Sequence, residues 1–125
     1  MVDGKKLGGE WLGAEVLNIP YTGPGLPLAS KADFTDGMLD LICFAKDDRD
    51  KLSDWFETPA EAPPPGITRR GRMVSFTFRD TPHRVDDEAY KAKDAGQTIT
   101  VTCDEQPVVI IESPIEMEKK KSEAA

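Results

Sequence analysis

Apolar residues along this chain gather in short runs separated by long polar connections, and the runs have the character of strands. Glu10 to Asn18 carries Trp11, Val16 and Leu17, with Ile19 just beyond, and this β-prone bulk predicts a strand. Leu39-Asp40-Leu41-Ile42-Cys43-Phe44-Ala45 is nearly continuous rather than alternating, the pattern of a strand buried on both faces. Met73 to Phe78 alternates, which puts Val74, Phe76 and Phe78 on one side. Thr98 to Cys103 and Val108 to Ile111 read as two further strands, joined as a hairpin through Asp104-Glu105-Gln106-Pro107. At the start of the chain, Asp3-Gly4 and Gly8-Gly9 are pairs that suit hairpin turns.

One stretch has helical spacing. Leu52, Trp55 and Phe56 stand at i, i+3 and i+4, which predicts a short helix over about residues 48–57 with one apolar face. Asp47 and Asp48 are its N-cap candidates. The proline-rich segment from Pro59 to Gly66 ends that helix and reads as a stiff surface connection, since proline can neither continue a helix nor donate to a sheet. Beyond Pro114 the chain turns into alternating acidic and basic residues, predicting a charged, frayed tail over 115–125. The expectation is therefore a mainly β domain over residues 1–114: an antiparallel β-sandwich of five or six strands with one short helix.

Length and charge narrow the classes of function. A chain of 125 residues forms one hydrophobic core rather than two domains. The net charge of -7 argues against nucleic acid as a partner, because phosphate binding rewards clustered lysine and arginine. Arg69, Arg70 and Arg72 are the local exception; they protect a strand edge or face a phosphate or acidic headgroup. Cys43 and Cys103 each lie inside a strand-like run with no second ligand nearby, and read as buried reduced thiols. His83, the only histidine, has no serine or cysteine nucleophile signature beside it and reads as a surface or packing residue. No run approaches the ~20 apolar residues that span a bilayer, and the N-terminus has no signal-peptide pattern, so the expected location is cytoplasmic.

The connection from Asn18 to Asp40 is more elaborate than a turn requires. It runs Asn18-Ile19-Pro20-Tyr21-Thr22-Gly23-Pro24-Gly25-Leu26-Pro27-Leu28-Ala29 and continues through Ala32-Asp33-Phe34-Thr35-Asp36-Gly37-Met38-Leu39-Asp40. Loops this rich in fixed and permissive backbone usually hold something. An asparagine closing a strand, Gly-Pro-Gly, Leu-Pro-Leu-Ala and then Ala-Asp-x-x-Asp-Gly-x-Leu-Asp resembles the C-terminal half of the diacylglycerol kinase and sphingosine kinase-type lipid kinases, including bacterial diacylglycerol kinases. Arg84-Val85-Asp86-Asp87-Glu88 resembles that family's Val-Asp-Gly-Glu turn, and Ile99 to Ile111 its closing strands, so the likeness covers most of residues 3–114.

The resemblance implies a C-terminal β-sandwich that contributes lipid contacts and part of a catalytic site. ATP would enter through an N-terminal nucleotide-binding domain, in cis or in trans, whose Gly-Gly-Asp-Gly-Thr motif does not occur in this sequence. The lipid substrate would be diacylglycerol or a long-chain base, with peripheral contact at a membrane surface. Asp36 would ligate a structural Mg²⁺ together with the backbone carbonyls of Asp33 and Met38, a set of hard oxygens that suits that ion. Asp86 would be the base that deprotonates the lipid hydroxyl, with Glu88 as its supporting neighbour. Asp87 stands where the family has glycine, which questions the tight turn. On this reading the isolated chain does not turn over ATP. A free-standing, non-catalytic module that binds a lipid headgroup or a separate nucleotide-binding subunit is the alternative.

Overall fold

The computed structural model describes residues 1–22, 25–59 and 61–104. Within them the chain is mainly β, its strands pair antiparallel, and there is one α-helix. Gly23 and Pro24, the expected strand Val108–Ile111, most of the turn before it and the 115–125 tail lie outside the described residues.

The most apolar run forms the middle of the structure. β1 (Trp11–Leu17), β2 (Leu39–Ala45) and β3 (Ile67–Gly71) make a three-stranded sheet in that order. β2 is buried along nearly its whole length, as its unbroken apolar sequence predicts. Successive side chains point to opposite faces, so β2 supplies both of the apolar clusters found among the described residues. Ile42 and Phe44 join Leu17, Trp55 and the loop residues Leu28, Ala29 and Ala32 on one side. Leu39, Leu41 and Cys43 join Val2 and Val74 on the other, where Phe76, Val101 and Cys103 also pack.

The second cluster is closed by another pair of strands. β4 (Met73–Phe78) pairs with β7 (Gln97–Thr102), and the alternation seen in the sequence holds. Val74 is fully buried, while Ser75 and Thr77 face Thr100 and Thr98 with hydroxyl contacts of 3.2 and 3.3 Å. β7 thus pairs with a strand from well upstream in the chain. β5 (His83–Val85) and β6 (Glu88–Tyr90) form a separate short hairpin between them. Cys43 and Cys103 are both free thiols; Cys43 is buried, as expected, whereas Cys103 is only partly so, and burial pushes the Cys43 thiol pKa up.

α1 (Arg49–Glu57) follows a short 3₁₀ turn over Lys46–Asp48. Two expectations about it need correction. Asp48 occupies the N-cap position but makes no capping hydrogen bond, and its carboxylate lies 3.8 Å from the Lys51 ammonium instead. Phe56 is exposed; Trp55 alone among the three is buried, with Leu52 partly so, which narrows the apolar face to one turn. The Trp55 indole N–H donates to the Ala62 carbonyl at 2.9 Å and ties the proline-rich connection to the helix.

The N-terminal residues are part of the core. Val2 and Lys5 exchange backbone hydrogen bonds of 2.9 Å around Asp3 (φ 47°) and Gly4 (φ 80°), the hairpin turn that Asp-Gly predicts. The Asp3 carboxylate accepts from the Arg72 and Met73 amides at 2.9 Å each. Gly71 makes that fit: a Cβ there would lie 2.5 Å from a Val2 methyl.

Candidate functional site

The loop entering β2 is built from two local side-chain turns. Asp33 accepts from the Thr35 amide at 2.8 Å and from the Thr35 hydroxyl at 2.6 Å. These bonds to its charged form hold the Asp33 carboxyl below its ordinary pKa, the Thr35 hydroxyl being the largest cause. Asp36 repeats the motif, accepting from the Met38 amide at 2.8 Å across Gly37, whose φ of 68° is open to glycine without strain. The Asp36 amide donates weakly to the Asp33 carbonyl, at 3.4 Å. Asp33, Asp36 and Met38 are therefore brought together in one compact turn.

Arg70 reaches this turn from β3. Register places Arg70 directly opposite Asp40 across the β2–β3 ladder, so their side chains share a face. Its Nε–H donates to Asp40 Oδ1 at 2.9 Å, and a terminal N–H donates to Asp36 Oδ2. The two carboxylates raise the guanidinium pKa, with the Asp36 hydrogen bond the largest cause. Asp40 is 8% exposed, and its Oδ2 is buried without a hydrogen-bond partner among the described residues.

This arrangement bears on the Mg²⁺ that the resemblance implies. Asp36 directs one carboxylate oxygen at a backbone amide and the other at a cation. A divalent ion at the same carboxylate has to displace Arg70 or sit beside its positive charge. The Arg70 contact therefore competes with a divalent ion at the Asp36 carboxylate. Among the described residues, no group of three or more histidine, cysteine, aspartate or glutamate side chains is arranged to hold a metal.

Asp86 occupies a different element. β5 and β6 are joined by Asp86 and Asp87 alone, with Val85 paired to Glu88, so the tight turn forms without the family's glycine. The left-handed backbone falls on Asp86 itself (φ 51°), a conformation that aspartate tolerates better than most residues. Asp86 is exposed, and no hydrogen bond or ion pair among the described residues engages its carboxylate. Glu88 accepts from the Tyr90 hydroxyl at 2.7 Å, and this bond raises the Tyr90 pKa. The Tyr90 ring stacks on His83 with centroids 4.7 Å apart, and His83 meets the Phe78 ring edge-on at 5.3 Å. A file of side chains thus runs from the hairpin back to β4, with His83 as a packing residue, one of the two roles read for it.

Pattern reading alone did not single out Arg70 as a partner of the loop or Tyr90 as part of the hairpin's support. Arg70 carried a signal, a basic residue preceding an apolar strand, but its partners lie 30 and 34 positions away. The open groove of about 480 Å³ along α1, lined by Lys51, Asp54, Trp55 and Pro63, contains none of the candidate residues. No described helix is long and apolar enough to cross a membrane. Compared with protein-family models, curated proteins and solved structures, the chain has no significant match.

Proposed function

We propose that this chain is the C-terminal β-sandwich domain of a diacylglycerol kinase-type lipid kinase, acting with a nucleotide-binding domain in cis or in trans. The observation that carries the reading is Asp86: an exposed carboxylate with no hydrogen-bond or ion-pair partner among the described residues, at the tip of a two-residue turn, on a hairpin held by stacked rings. A general base needs a free lone pair and a defined position, and this geometry supplies both. The facing sheets β1–β2–β3 and β4–β7, which share one apolar cluster, support the sandwich.

In the proposed reaction, Asp86 accepts the proton of a diacylglycerol or long-chain-base hydroxyl as that oxygen attacks the γ-phosphorus of ATP. The bond to the β,γ-bridging oxygen breaks, and ADP leaves. Glu88 contributes through Tyr90 and His83, by holding the hairpin rather than by touching substrate. No step is routed through a metal at Asp36.

The test is transfer of radiolabelled γ-phosphate from ATP to dioctanoylglycerol or to sphingosine, by the chain joined to its nucleotide-binding domain and by the chain alone. Transfer by the joined form only is the expected result. A folded joined form that phosphorylates neither lipid refutes the reading and leaves the non-catalytic binding module.

A further inference from the structure

We propose that Arg70 takes the place of a divalent cation in this protein, clamping the 33–38 turn to β2 so that the loop is built without a metal. The first support is geometric. One guanidinium reaches Asp36 on the turn and Asp40 on the strand at once, as a single bound ion would. The planar fork of donors suits two carboxylates in fixed directions, which the point charge of a lysine does not.

The second support is burial. Asp40 lies inside the sheet, nearly enclosed, and a carboxylate taken out of water needs a cation or donors beside it. Its cross-strand neighbour Arg70 is the cation that register delivers, with the Nε–H contact at 2.9 Å. The third is what the clamp holds. The loop in turn closes an apolar cluster through Leu28, Ala29 and Ala32, so the clamp bears on the fold of the whole domain.

This inference stands apart from the lipid kinase reading, because it concerns how the loop is held and not what the protein phosphorylates. The experiment is thermal melting of the full chain in EDTA and in millimolar MgCl₂, with calorimetric titration of MgCl₂ into the same protein. The wild type is expected to melt at the same temperature in both buffers and to show no saturable heat. Arg70→Met is expected to melt lower by about 5 °C or more, with Arg70→Lys recovering less than half of the loss. A saturable, Asp36-dependent rise in wild-type melting temperature with MgCl₂ would overturn the proposal, and that measurement decides the matter even if Arg70→Met does not fold. An Arg70→Met protein that melts with the wild type would overturn it equally.

Discussion

Asp33 and Asp36 use the same device with different consequences. Each carboxylate folds back on an amide two residues ahead; among the described residues Asp33 hydrogen-bonds Thr35, whereas Asp36 also bonds Arg70. Because the fold favours the Asp33 carboxylate, its contribution to stability is fully present above its ordinary pKa of 3.8 and is lost as pH falls below that value toward the depressed folded one. Thr35→Val deletes the hydroxyl that is the main cause. Carbon-detected NMR titration of the Asp33 carboxyl should show its pKa moving back up toward 3.8 in the variant, and an unmoved pKa would assign the depression to another group. The Asp-Gly turns were legible at this scale, since Asp3-Gly4 and Asp36-Gly37 need only neighbours in sequence. The Arg70 clamp was not, because it exists only once register sets residues 30 or more positions apart side by side.

Among the elements, burial decides what the sequence reveals. β2 and β4 were legible to the residue because their apolar positions are the ones that fill the clusters. β3, β5 and β6 are exposed along most of their length, so no apolar period marks them; Thr68-Arg69-Arg70 is a strand because β2 pairs with it. Among the described residues, β3 lies at the edge of its sheet. The pairing of β7 with β4 could not be read from local turn chemistry, because its partner strand lies well upstream in the sequence. The β5–β6 hairpin is too short to stand alone and depends on the His83 stack. His83→Ala should therefore cost about 1 to 2 kcal/mol locally. Hydrogen exchange of the Glu88–Tyr90 amides should accelerate by roughly tenfold while β2 amides stay protected, and His83→Phe should restore the wild-type rate. Equal acceleration across all strands would show that the stack supports the domain and not the hairpin in particular.

For the molecule as a whole, β2 is the common wall between the two clusters and therefore between the two candidate sites. The Asp33–Asp40 segment leads directly into it, and the strand pair that carries the Asp86 hairpin packs on its other side. The resemblance rests on short motifs, while the chemistry of those motifs depends on what the fold sets beside them: a guanidinium at Asp36, and no partner among the described residues at Asp86. Catalysis in the proposed reading accordingly rests on Asp86. The most direct measurement is the single-turnover rate of γ-phosphate transfer from ATP to dioctanoylglycerol by the chain joined to its nucleotide-binding domain, wild type beside Asp86→Asn. Asparagine tolerates the same left-handed backbone, so the turn is preserved while the base is removed. The predicted result is a fall in rate of about 100-fold or more at an unchanged melting temperature; an Asp86→Asn protein that transfers phosphate at the wild-type rate would contradict it.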